Sequence, residues 1–144
     1  MKKIVRQAEK SDLTALIDLY QKNLFQPDTC ICIKTENALN EILSDSDSFL
    51  LVCCLGNKIV ASCRLCVEQS LAFSGSKVAV AFEICYEKRY ENIFDCLSLI
   101  ISKVKEIAEG SGCYETIFLN ENSSSFLNSV ILQHGFSNTY CLIK

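Results

Sequence analysis

Hydrophobic positions along this chain recur with two different periods, and the switches between them mark its elements. Lys3–Arg6 alternates with period two and predicts a first strand. After it, Leu13, Leu16, Ile17, Tyr20 and Leu24 recur at helical spacing behind Ser11, a good N-cap, until Pro27-Asp28 breaks the pattern. Thr35 is the expected cap of a second helix carrying Ala38, Leu39, Ile42 and Leu43, and Ser44–Ser48 is a polar loop. Phe49–Leu55 and Lys58–Glu68 read as strands joined by Gly56-Asn57, a tight-turn dipeptide in which both residues tolerate positive φ. Ser70–Ser76 is a loop and Val78–Tyr86 another strand.

Glu91–Gly110 holds the longest helical pattern, with Ile93, Leu97, Ile100, Val104 and Ile107 in one stripe beside Ile101 and Ala108. Gly110-Ser111-Gly112 ends it. Tyr114–Leu119 is a short apolar strand, Ser123–His134 a helix with Leu127, Val130 and Ile131 on one side, and Phe136–Ile143 a last strand after Gly135. The order β-α-α-β-β-β-α-β-α-β predicts a mixed sheet covered by helices, one α/β domain over residues 1–144. No repeat, linker or low-complexity segment interrupts it.

Composition narrows the classes. Hydrophobic residues make up 49% and charged residues 22%, the balance of a soluble globular domain. The net charge is −3 with no basic stripe, which argues against nucleic acid as a partner. Met1-Lys2-Lys3 begins like a signal peptide, but Arg6, Glu9, Lys10 and Asp12 interrupt any apolar region, and no run is long enough to span a bilayer. The expectation is a cytoplasmic protein without membrane partners.

Ten cysteines are many for 144 residues. Cys53, Cys54, Cys63, Cys66, Cys85, Cys96 and Cys141 lie in apolar segments and read as reduced, buried thiols acting as small hydrophobes. Cys30 and Cys32 form a CxC and Cys63 and Cys66 a CxxC, but residues three apart on a strand face opposite ways, and His134 is the one histidine. No metal site is expected.

Several stretches in order are similar to the GNAT-type N-acetyltransferases. Ile4-Val5-Arg6-Gln7-Ala8 followed by Ser11-Asp12-Leu13 looks like that family's opening strand and helix. Phe49-Leu50-Leu51-Val52 with Gly56-Asn57-Lys58-Ile59-Val60-Ala61 resembles its central hairpin. Gly112-Cys113-Tyr114 is like its entry into the fifth strand, and Gly135-Phe136 like its terminal G-F. The resemblance spans nearly the whole chain and implies a GNAT-like fold. It also implies acetyl-CoA as co-substrate, a small-molecule or peptide amine as acceptor, and a homodimer, as many members form.

The family's pyrophosphate loop reads R/Q-x-x-G-x-G/A before the long helix, its glycines letting backbone N–H groups approach phosphate. Counted back from Gly112 without gaps, it falls on Asn92, Ile93, Phe94, Asp95, Cys96 and Leu97, with Ile93, Asp95 and Leu97 in place of glycines. A three-residue shift puts Arg89 on the arginine and Tyr90, Asn92 and Phe94 on the glycines, so neither register restores one. Each added Cβ crowds the phosphate, and Asp95 adds a like charge worth about 1 kcal/mol of repulsion at contact even in bulk water. The tyrosine that protonates the departing thiolate in many members is Ile131 here, and the family's nearby asparagine falls on Ser124.

Glu83 matches a strand glutamate that in many relatives acts through water as general base on the amine, a role that requires the amine to be free, since an ammonium has no lone pair to attack the thioester. The plainer reading is a strand glutamate that faces solvent or pairs with a lysine or arginine. Cys85 reads as a core thiol rather than a nucleophile, and His134 as a cation at a helix C-terminus. Tyr86 and Tyr90 lie where a substitute acid would be needed, while Lys88 and Arg89 are placed either to meet coenzyme phosphates or to be solvated in a turn. Ser123-Ser124-Ser125 reads as helix capping. Two functions follow: an N-acetyltransferase with a degenerate cofactor loop, or a non-catalytic GNAT-fold module that binds a partner. Backbone N–H groups before Leu97 facing an open cleft between splayed fourth and fifth strands favour the first. Ile93, Phe94 or Leu97 filling that cleft favours the second.

Overall fold

The computed structural model describes residues 2–23, 28–121 and 124–136. Five strands form one sheet in chain order: β1 (Lys3–Gln7), β2 (Ser48–Leu55), β3 (Lys58–Gln69), β4 (Lys77–Tyr86) and β5 (Glu115–Phe118). The first three pairings are antiparallel and β4–β5 is parallel. A parallel neighbour requires a crossover, and the helix α3 (Ile93–Gly110) supplies it. Two helices, α1 (Leu13–Asn23) and α2 (Ile33–Ser44), precede β2, and α4 (Ser125–Gln133) follows β5. The expected last strand lies beyond Phe136, outside the described residues, as do Leu24 and Pro27.

Both faces of the sheet are covered, which is why β2 and β3 read as nearly unbroken apolar runs. Leu51, Cys53, Cys63, Leu65 and Ala81 face α3 and α4, meeting Leu97, Ile100, Ile101, Val104, Leu127 and Val130. Leu50, Val52, Cys54, Ile59 and Cys85 face the other way, against Leu16 and Leu19 of α1 and Leu39 of α2. Cys63 and Cys66 point to opposite faces, as their spacing requires. Cys63 is in the first core, and Cys66 sits beside Ser48 on the other face, 3.7 Å away.

Several helix starts differ from the sequence reading. Ser11 does not cap α1. The chain first makes a 3-10 turn over Lys10–Asp12, where the Asp12 carboxylate takes the Glu9 N–H at 2.7 Å and the Arg6 guanidinium at 2.7 and 3.0 Å. A carboxylate held by both outcompetes a serine hydroxyl for the same turn. Thr35 is not the cap of α2 but its third residue, and its hydroxyl accepts the Cys32 N–H at 2.9 Å. α3 starts two residues later than expected, because Glu91 and Asn92 remain in the turn that follows β4. In the β2–β3 turn only Gly56 takes a positive φ, 61°. His134 ends α4 as expected, but not as a cation. Its Nε2 lies 2.7 Å from Ser98 Oγ on α3, and burial together with Lys105 lowers its pKa, so it docks one helix on the other.

Candidate functional site

The sheet is irregular where the candidate residues collect. β3 and β4 pair Arg64 with Phe82 and Ser62 with Cys85, so Glu83 and Ile84 together face Cys63. This is a β-bulge, and Glu83 carries it with φ 48°, a left-handed conformation that costs a residue with a Cβ about 1 kcal/mol. The bulge bends β4 away from β5. Their pairing runs from Val78↔Glu115 to Ala81↔Phe118, continues in one bond from Leu119 N–H to Ala81 O, and stops. Beyond it the two strands part.

The bulge frees the Glu83 N–H from the sheet, and it donates instead to the Glu121 carboxylate, at the end of the β5–α4 connection. Burial raises the pKa of the Glu83 carboxyl, Arg64 opposes that shift, and Glu121 adds to it. Glu83 is half-buried and forms no ion pair among the described residues, so the pairing with a lysine or arginine is not seen there.

Below the parting strands lies a cleft of about 410 Å³ lined by Ile84, Tyr86, Lys88, Asn120, Ser124 and Phe126, among others. Tyr86 OH is 3.0 Å from Ser124 Oγ, and its ring lies 5.9 Å from that of Phe126, which in turn meets Phe94 at 6.3 Å. Ser124 also caps α4 by accepting the Leu127 N–H at 3.1 Å. Its position is fixed by Asn120, a buried residue that sequence reasoning missed. Asn120 Nδ2 donates to Ser124 O at 2.7 Å and Asn128 Oδ1 at 2.8 Å, and its Oδ1 accepts the Ser124 N–H at 3.0 Å.

The six residues at the start of α3 divide by face. Ile93, Cys96 and Leu97 are buried against the sheet and leave the cleft open, while Asn92, Phe94 and Asp95 are exposed. A helix start normally leaves its first N–H groups free for an anion. Here Ile93 N–H donates to Tyr90 O at 3.2 Å and Asp95 N–H to Asn92 O at 3.1 Å, so of the first three only that of Phe94 is left without a partner among the described residues. Asp95 is partly neutralised by Lys3 Nζ at 3.2 Å. Lys88 and Arg89 are exposed, Lys88 in the lining of the cleft and Arg89 beside it in a neighbouring hollow shared with Lys22 and Glu87; neither forms an ion pair among the described residues, whereas Lys22 is held by Glu87 at 2.9 Å and Asp18 at 3.2 Å. Tyr90 packs half-buried against the core, Cys85 is buried with its pKa pushed up by desolvation, and Ile131 is fully buried.

A second cavity, about 270 Å³, opens on the opposite face of the sheet, between α1, α2 and β3–β4, with Arg64 and Glu83 at its floor. Arg64 was not singled out from the sequence. The available signal was a lone cation inside the apolar run of β3. The bulge thus stands between two hollows, one at the parted strands and one under α1 and α2.

This is the fold of the GNAT-type acetyltransferases. A GNAT family acetyltransferase from Staphylococcus aureus superposes with a TM-score of 0.71 at 19% identity, covering 100% of this chain and 98% of that one. Glucosamine-6-phosphate N-acetyltransferase from Arabidopsis thaliana gives 0.80 at 18%, covering 100% and 97%. A transcriptional regulator from Bacillus halodurans gives 0.86 at 18%, covering 99% and 98%. No protein-family model matches the sequence, and no curated protein matches it either. Among the described residues, no helix is long and apolar enough to cross a membrane.

Proposed function

We propose that this chain is an acyl-CoA-dependent N-acyltransferase that moves an acetyl group from acetyl-CoA to an amine. The observation that carries this reading is the bulge at Glu83. It holds a strained non-glycine residue between two cavities, and it turns a backbone N–H out of the sheet where the strands part. Strain of this kind persists where the surrounding fold enforces it, commonly at functional sites.

Each group then has a task. Glu83, a half-buried carboxylate with a raised pKa, takes a proton from the amine. The amine nitrogen bonds to the thioester carbonyl carbon, the C–S bond breaks, and the coenzyme leaves as a thiolate. The freed Glu83 N–H donates to the carbonyl oxygen as negative charge develops there, once Glu121 has given up that bond. Tyr86, bonded to Ser124, is the hydroxyl in the cleft from which the thiolate takes its proton. Lys88 in the cleft and Arg89 in the adjoining hollow meet the pyrophosphate, with the Phe94 N–H as the backbone contribution. With the loop glycines absent, charge rather than a backbone cradle supplies most of that binding, so affinity falls as salt rises. The likeness to acetyltransferases of amino sugars in fold supports an amine acceptor.

Calorimetric titration of the reduced protein with acetyl-CoA tests the proposal. Saturable micromolar binding that weakens in the Lys88→Ala/Arg89→Ala double variant supports it. No heat up to millimolar ligand sinks it, and leaves the fold as an interaction module.

A further inference from the structure

We propose that the acceptor is a free α-amino acid with an apolar side chain, seated in the cavity between α1, α2 and the sheet with its carboxylate on Arg64 and its amine at Glu83. The inference rests on the acyl-transfer reading above and specifies its second substrate. The walls are mostly apolar, built chiefly from leucine and isoleucine of α1, α2 and β2, with Tyr20, Thr29 and Thr35 as their polar members, and Arg64 and Glu83 are the charged residues of the lining. At about 270 Å³ the cavity is slightly below the ~300 Å³ at which pockets for drug-sized ligands begin, so its ligand is small.

Arg64 is the informative residue. Its Nε is buried and donates to nothing among the described residues. Among the described residues its Nη2 reaches only the Cys66 sulfur, at 3.5 Å, and its guanidinium stands 5.1 Å from the centre of the Phe82 ring. No carboxylate comes within ion-pair distance of it among the described residues. A buried donor left unpaired costs free energy that a ligand can return, and the flat guanidinium matches a carboxylate. Ser62 Oγ, on the same strand two residues away, is also buried, with the Tyr20 hydroxyl as its neighbour. A polyamine would set a cation against Arg64, and an amino sugar would set hydroxyls against leucine walls. A zwitterion with an apolar side chain satisfies the cation, the carboxylate and the walls together. In the reaction its α-nitrogen bonds to the acetyl carbon, its proton passes to Glu83, and an N-acetyl amino acid and free coenzyme A leave.

Chemical-shift titrations of the ¹⁵N-labelled full chain, with and without coenzyme A, test this using three probes. They are L-leucine, isopentylamine (which lacks the carboxylate) and 4-methylpentanoate (which lacks the amine). Leucine is expected to bind roughly 10-fold or more tightly than either, since one charge-assisted interaction is lost in each analogue. Arg64→Met should reduce leucine to the level of isopentylamine and leave isopentylamine unchanged, with Arg64→Lys intermediate. Equal affinity for leucine and isopentylamine, an unchanged leucine affinity in a folded Arg64→Met protein, or no leucine binding in either state overturns the inference. Acetyl-CoA is titrated separately. Its binding without leucine binding removes only the amino-acid acceptor, whereas leucine binding without acetyl-CoA binding keeps the pocket and removes the transfer reaction.

Discussion

Replacing Asn120 with alanine should destabilise the protein by about 3 kcal/mol and disturb the cleft at the same time. The magnitude comes from three hydrogen bonds at 2.7, 2.8 and 3.0 Å made by a side chain that is 1% exposed. Each is worth about 1 kcal/mol net, and the loss grows where a buried partner is left unsatisfied. Against a total of about 0.05–0.15 kcal/mol per residue, this is a large fraction of the stability. In urea, with a slope near 2 kcal/mol per molar, the midpoint should fall by about 1.5 M, and Tm should fall by about 10 °C. The damage is not confined to the loop, because Ser124 both caps α4 and bonds Tyr86. Acetyl-CoA affinity, measured where the variant is still folded, should therefore drop as well. Asn120→Asp keeps the acceptor for Ser124 N–H but loses both donated bonds, so it should be no better than alanine. A urea midpoint within about 0.25 M of the parent, about 0.5 kcal/mol at that slope, would refute the reasoning, since water would then be replacing all three bonds.

Three further outcomes follow from charge and burial. Glu83→Gln should lose transfer activity. Because the folded protein raises this carboxyl's pKa, the parent is favoured by protonation and loses stability as pH rises through that raised value. The variant should accordingly gain in urea midpoint relative to the parent at neutral pH, and the gain should vanish below the ordinary glutamate range. Asp12 behaves oppositely: the bond from Arg6, then that from the Glu9 N–H, lowers its pKa. Asp12→Asn should cost about 1–3 kcal/mol at neutral pH, a gap that closes in acid as the parent's own carboxylate protonates through its depressed pKa. Cys32 is exposed, and the Thr35 N–H and hydroxyl lower its pKa, while Cys53 and Cys63 are pushed up to about 12 by burial. Peptide mapping after brief iodoacetamide treatment at neutral pH should find Cys32 labelled well before those two, and equal labelling would contradict the assignment.

The sequence by itself determined the elements, because each depends on local spacing. The apolar stripe of α3, the continuous runs of β2 and β3, and Gly56-Asn57 between them all lie within short windows, and the structure follows them within a few residues. Their order was enough for the GNAT-like fold. The missing loop glycines were also legible, and the faces of α3 followed from its periodicity, with Ile93 and Leu97 inward and Phe94 and Asp95 outward.

What only the tertiary structure decided is how distant segments meet. Glu83 stood out in the sequence as a carboxylate matching a family position. Its backbone conformation depends on a register shift between β3 and β4, and period-two alternation carries no record of which residue is doubled. Asn120 reads as an ordinary loop asparagine until Ser124 and Asn128 close around it. Arg64 reads as a cation on a strand until α1 and α2 build walls over it and leave its Nε unpaired. Local sequence fixes the direction in which a side chain leaves the backbone. Burial, partnership and pKa depend on what packs against it, and those neighbours are supplied by elements tens of residues away.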